Sequence, residues 1–125
     1  MTPNTVTVDN STAPARLTFA EQFNVAVPFI DRHIGEGRGD KIAIRTRESD
    51  TTYTQLRDNV NRAGNALIDL GLSPGDRVLM VVKDCPAFPF LFWGAIKAGF
   101  VPVPVNTLLA AKDYKFIAED SGTAC

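Results

Sequence analysis

The residues with the most chemical potential in this chain are a glycine-rich pentapeptide, one histidine, several carboxylates and a run of aromatics. Gly35-Glu-Gly37-Arg-Gly39 has the glycine spacing of a loop that wraps an anion with its backbone N–H groups. Such a loop cradles phosphate when it leaves a strand and opens a helix. Here a helical pattern precedes it and none follows directly, so a flexible turn is expected. Arg38-Gly39-Asp40 within it spells an adhesion tripeptide and reads as chance. His33 is the single histidine, and no second His or paired Cys completes a metal-ligand set. General acid–base work would require an orienting partner that the sequence does not identify. A histidine on the exposed face of a helix is the expectation. Asp58, Asp69, Asp76 and Asp84 fall in helices and turns and form no catalytic pair. Phe88, Phe90, Phe92, Trp93 and Phe100 could line an aryl pocket, but their helical spacing fits core packing better. No Ser-His-Asp or Cys-His arrangement exists. The residues by themselves assign no catalytic, cofactor-binding or metal-binding position.

The elements that would position such groups can be read from hydrophobic periodicity. Met1 to Thr18 is rich in Thr, Asn, Ser and Pro, has neither a basic start nor an apolar run, and reads as a disordered leader. Residues 19–125 form the folded part. Phe23, Val27, Ile30 and Ile34 recur at helical spacing, and Pro28 restricts the helix to the second half of that stretch. Lys41 to Thr46 alternates Ile42 and Ile44 against Lys41, Ala43 and Arg45, the pattern of a half-buried strand, with Thr51 to Tyr53 returning as a small hairpin. Thr54 to Leu70 is the clearest helix. Leu56, Val60, Ala63, Leu67 and Leu70 form its apolar stripe, Thr54 is its expected N-cap, and Gly71 closes it.

Val78 to Val82 is uninterrupted apolar sequence, expected as a strand covered on both faces. Pro86 suits the first position of the next helix, with Cys85 before it. Phe88, Leu91, Phe92, Ala95 and Ile96 form its inner stripe, and Phe90 and Trp93 make the opposite side apolar as well. Gly94 permits close backbone approach and Gly99 stops the helix. Phe100 to Val105 is a strand whose Pro102 and Pro104 require an edge or irregular placement. Thr107 is expected to cap a last helix through Tyr114, Ile117 and Ala118, ended by Gly122, and Thr123 to Cys125 reads as the start of another strand. The order gives an α/β fold: a small hairpin plus parallel β-α-β units with flanking helices.

Composition excludes several function classes. Among 125 residues, 13 basic side chains face 14 acidic ones for a net charge of −1, with no long block of either sign. Neither nucleic acid nor an anionic membrane finds an electrostatic footprint. Cys85 and Cys125 are the two cysteines and lack metal or redox spacing, which suits reduced thiols in a cytoplasmic protein. The apolar stretch Cys85 to Ile96 is shorter than the roughly 20 residues a bilayer span needs.

Five segments carry a resemblance: Tyr53-Thr-Gln-Leu56, Gly71-Leu-Ser-Pro-Gly-Asp-Arg-Val78, Phe92-Trp-Gly-Ala-Ile-Lys-Ala-Gly99, Val103-Pro-Val-Asn106 and Ala118-Glu-Asp-Ser-Gly122. In this order and at these separations, they resemble the opening region of the adenylate-forming acyl- and aryl-CoA synthetases. The resemblance runs from about Phe23 to Cys125. Gly37-Arg-Gly-Asp-Lys-Ile42 and the stretch Phe92 to Leu108 are most similar to benzoate–CoA ligases. It implies a parent enzyme that uses ATP, Mg²⁺ and CoA to convert benzoate to benzoyl-CoA through benzoyl-AMP, in aromatic compound degradation. It also implies that residues 19–125 are a truncated amino-terminal portion of the AMP-binding domain. The family's Ser/Thr/Gly-rich phosphate loop with its Lys, its ribose-binding Asp and its C-terminal Lys do not occur here. Some relatives have an Arg two positions after the residue matching Asn106, near where the CoA nucleotide docks. Leu108 stands there, so no CoA contact is carried over.

The implied role of the 125 residues is therefore scaffold without catalysis or bound cofactor. A stand-alone α/β binding or interaction module is the rival reading, and a membrane-inserted hairpin through Cys85 to Val105 is a remote one. Exposed apolar surface at Val78–Val82 and at Phe90 and Trp93 would favour self-association.

Overall fold

The computed structural model describes residues 1–125, and its sheets are three separate two-stranded pairs. The first corrects an expectation. Residues 1–18 are not a disordered leader throughout: β1 (Val6–Asp9) and β2 (Arg16–Phe19) pair antiparallel, with Val6 opposite Phe19 and Val8 opposite Leu17. Cross-strand apolar pairs of this kind stabilise a hairpin that polar composition alone does not announce. The Asn4 N–H donates to the Gln22 carbonyl at 2.8 Å, and the Ala20 N–H to the Thr5 carbonyl at 3.0 Å, tying the hairpin to the next segment. That segment is a π-helical turn, Val27–Asp31, running into the short α1 (Arg32–Gly35). Pro28 lies in the first turn, where no intrahelical N–H is needed.

β3 (Ile42–Arg45) and β4 (Asp50–Thr52) form the expected hairpin, but with a bulge between Ile42 and Ile44. The extra residue turns Ala43 and Ile44 both toward the core and leaves Ile42 exposed, overturning the simple alternation. Helix α2 (Tyr53–Asp69) begins one residue earlier than the sequence pattern suggested. Its N-cap is Thr52, not Thr54. Thr52 Oγ1 accepts from the Gln55 N–H at 3.2 Å while Gln55 Oε1 accepts from the Thr52 N–H at 2.9 Å, a reciprocal capping box. The Thr54 N–H is instead donated to the Gly39 carbonyl at 2.9 Å.

β5 (Arg77–Met80), α3 (Ala87–Lys97) and β6 (Val101–Pro104) make one parallel β-α-β unit, Arg77 in register with Val101 and Met80 with Pro104. Helices α2 and α3 meet at glycines. A Cβ on Gly94 would lie 2.8 Å from the Val60 carbonyl oxygen and 2.9 Å from the Gly64 nitrogen, and one on Gly64 would lie 2.9 Å from the Gly94 carbonyl oxygen. The backbones touch there, so Gly64 is part of the buried stripe. Leu70, expected in that stripe, is the C-cap beyond the end of α2 and is 68% exposed.

Two apolar clusters flank α3. Leu67, Val78, Met80, Ala95 and Phe100 form one, with Phe88, Leu91 and Phe92 packed on it. Ile30, Leu56 and Val60 form the other, with Phe90 and Trp93 packed on it. The Phe90/Trp93 side is thus half-buried against the rest of the chain, and Trp93 also stacks on Phe29 with ring centroids 5.4 Å apart. The expected apolar patch at that helix face is partly filled from within the chain, while Phe29 remains 57% exposed. Each fully buried side chain, Val60 and Ile30 among them, contributes about 1.5–3 kcal/mol through removal from water.

Val101 and Val105 donate to the Asp76 and Met80 carbonyls at 2.8 and 3.1 Å, so Pro102 and Pro104 fall at positions whose nitrogens face away from β5. The prolines blunt the free edge of β6. Along the other edge of β5 lie Ala124, whose N–H donates to the Arg77 carbonyl at 2.9 Å, and Cys125, whose carbonyl accepts from the Leu79 N–H at 2.8 Å. Between β6 and this segment runs α4 (Ala111–Ser121), which has no buried residue. Thr107 does not cap it. The N-cap is Ala110, whose N–H is satisfied by the Asp113 carboxylate at 3.2 Å.

Candidate functional site

Parallel strands leave a crevice beyond their carboxyl ends, where open α/β sheets bind ligands. In this chain, the corresponding cleft lies past Met80 and Pro104 and has a volume of about 340 Å³. Lys83, Asp84, Asn106 and Thr107 supply its polar wall, and Val82, Phe88 and Val105 its apolar one. Local sequence builds that wall. Asn106 Oδ1 accepts from the Leu108 N–H at 2.9 Å, making a side-chain-closed turn directly after β6. Tyr114 Oη donates to the Asn106 carbonyl at 2.9 Å and accepts from the Leu109 N–H at 3.1 Å. The turn is therefore pinned by α4. Lys83 and Asp84 take part in no ion pair, so the ammonium is available to an anion. No nucleophile sits beside a base in this cleft. What it can do is hold and orient.

The structure disperses the residues singled out from sequence. Phe88, Phe92 and Phe100 join one apolar cluster and Phe90 and Trp93 the other, so the five aromatics line no common pocket. Asp58 pairs with the neighbouring Arg57 at 2.7 Å, and Asp76 accepts from the Ser73 N–H at 2.8 Å. Asp84 alone of the four carboxylates reaches the cleft. The glycine loop is closed on itself. Its Glu36, Gly37 and Arg38 N–H groups donate to the Arg32, Ile34 and His33 carbonyls at 3.0, 3.1 and 2.8 Å. With those donors used internally, no N–H cradle remains for a phosphate. Gly37, at φ +75°, supplies the left-handed position this turn requires.

His33 stacks on Tyr53 with centroids 4.0 Å apart, and Arg38 donates to its Nδ1. Its pKa is lowered, first by burial and then by the Arg38 and Arg32 guanidinium groups. No group of three or more His, Cys, Asp or Glu side chains is arranged to hold a metal ion. Both cysteines are exposed and unpaired. No helix is long and apolar enough to cross a membrane.

Sequence reasoning missed the grouping of Lys83, Asn106 and Thr107. The available signal was positional: each polar residue follows the end of a predicted parallel strand within a few positions.

Comparisons with known proteins bear on this geometry. The family model described as AMP-binding enzyme matches residues 31–125. A 4-hydroxybenzoate–CoA/benzoate–CoA ligase of Rhodopseudomonas palustris is 48% identical over 99 residues, 79% of this chain and 18% of that protein. A benzoate–CoA ligase of Thauera aromatica is 43% identical over 114 residues, 90% of this chain and 22% of that protein. The crystal structure of a benzoate CoA ligase from Burkholderia xenovorans LB400 superposes with a TM-score of 0.76 at 38% identity, covering 81% of this chain and 20% of that one. The chain spans about a fifth of the length of the curated relatives it matches.

Proposed function

The chain belongs to the AMP-binding enzyme family, and on that premise we propose that it forms part of the amino-terminal region of an aryl-acid–CoA ligase. The observation that carries this reading is the 48% identity to a ligase named for benzoate and 4-hydroxybenzoate, over 79% of the chain. Benzoate is the substrate we propose for the parent enzyme, with ATP and CoA as co-substrates, Mg²⁺ as the metal, a cytoplasmic location and a role in aromatic compound degradation. In that reaction the carboxylate oxygen attacks the α-phosphorus of ATP and pyrophosphate leaves. The CoA sulfur then attacks the acyl carbon of the acyl-AMP, and AMP leaves as the thioester forms. Such chemistry depends on positioning and charge stabilisation.

The part we propose for residues 19–125 is scaffold within the AMP-binding domain. The cluster of Leu67, Val78, Met80, Ala95 and Phe100 holds β5 and the start of β6 against α3, and the carboxyl ends of the two strands present one wall of a binding crevice. The purified chain, given ATP, Mg²⁺, benzoate and CoA, is expected to exchange no pyrophosphate into ATP and to form no benzoyl-CoA. Turnover would overturn the scaffold reading. A chimera tests the aryl-acid reading: residues 31–125 replace the matching stretch of the Rhodopseudomonas ligase. A folded chimera that keeps benzoate activity supports it, and a folded, inert one counts against it. Leu108 and Phe116 are 87% and 66% exposed, and we propose that the isolated chain self-associates through such surface. A compact monomer in light scattering would contradict this.

A further inference from the structure

One cluster outside the cleft carries an inference independent of the ligase reading. His33, in the short α1, touches both the Gly35–Lys41 loop, through Arg38, and the first turn of α2, through Tyr53. Arg38 aims two N–H groups at its Nδ1, from Nε at 3.1 Å and from Nη2 at 2.9 Å. A guanidinium has no acceptor, so Nδ1 must carry a lone pair, and the ring held there is neutral with its proton on Nε2. An imidazolium has a proton on both nitrogens and cannot accept from Arg38. The same loop is joined to α2 by the Thr54 N–H to the Gly39 carbonyl at 2.9 Å and the Tyr53 N–H to the Lys41 carbonyl at 3.0 Å.

We propose that His33 is an acid-sensitive latch, whose neutral ring holds Arg38 and the Gly35–Lys41 loop on the first turn of α2 and whose protonation releases them. Several groups face the ring. Arg38 and Arg32 oppose a charge on it, as does burial. Glu36, which also pairs with Arg38, and the Phe29 carbonyl one turn back favour it. The Tyr53 ring face, stacked at 4.0 Å, favours a cation too. The opposing set prevails, and the pKa falls below the ordinary 6.5. A lowered pKa means the folded state binds fewer protons than the unfolded one. The latch is therefore closed above 6.5 and is lost as pH falls from there through the folded pKa.

NMR titration of the His33 Cε1–H, together with amide-exchange protection at Tyr53 and Thr54, tests this on the whole chain. The wild type is expected to titrate below 6.5 and to lose protection severalfold across its own midpoint. In His33→Gln the protection should be flat with pH. In Arg38→Met the histidine midpoint should rise and the two amides should be weakly protected throughout. A wild-type midpoint at or above 6.5, or an equal acid loss of protection in His33→Gln, would overturn the proposal.

Discussion

The α2–α3 contact and the α4 segment represent opposite ways of holding a helix in place. At the first, Gly64 and Gly94 bring two backbones within contact distance, between clusters that include the fully buried Val60. At the second, no side chain is buried. Helix α4 is held by the Arg77 guanidinium, whose Nε donates to the Ser121 carbonyl at 2.8 Å and whose Nη2 donates to the Gly122 carbonyl at 2.9 Å. Tyr114 adds the bond to the Asn106 turn. Packing contacts resist any change of volume, whereas a cation on the last carbonyls of a helix is exchangeable with water. The contrast teaches where the molecule is free to move. The scaffold side of the cleft is set by packing, and the Asn106–Thr107 side depends on a helix drawn from the low-stability end of the fold.

Substitutions of graded severity can break or sharpen that contrast. Gly94→Ala places a Cβ 2.8 Å from the Val60 carbonyl oxygen and should cost about 3 kcal/mol, read as a lowered urea midpoint. Arg77→Ala should cost about 1–2 kcal/mol, with faster hydrogen exchange confined to α4 and Thr123–Cys125. If exchange instead rises equally in α2 and α3, the two regions are one cooperative unit and the contrast fails. Thr52→Ala removes half of the capping box and should cost about 1 kcal/mol, with fraying at the first turn of α2. Phe116→Ser, on the exposed face of α4, should change stability by less than about 0.5 kcal/mol. A larger loss there would mean that α4 packs on something other than this chain.

Much of this was legible in the sequence where local physics and burial agree. The stripe of Leu56, Val60 and Leu67, the stop at Gly71 and the prolines of β6 all lie where their residue types require. Legibility failed where a tertiary partner chose between local options. Thr52 and Thr54 are equally good caps by type, but the Gly39 carbonyl takes the Thr54 N–H and the return of β4 leaves Thr52 at the helix start. Ile42 lost its place to Ala43 because a bulge between Ile42 and Ile44 broke the alternation of β3. The cleft was legible only as a rule about strand ends, since Lys83 and Asn106 lie far apart in the chain.

What the sequence determined by itself is the order of elements after the first hairpin, the parallel β-α-β pairing and membership in the AMP-binding enzyme family. Helical and strand periods are local properties, and family motifs survive as strings. Only the tertiary structure decided that Phe90 and Trp93 are half-buried, that the glycine loop turns its N–H groups on itself, and that His33 faces Arg38 and Tyr53. Each of those depends on which groups meet across the chain. A hydrogen bond or a packed face is fixed by the partner that arrives, and residue type alone does not name that partner.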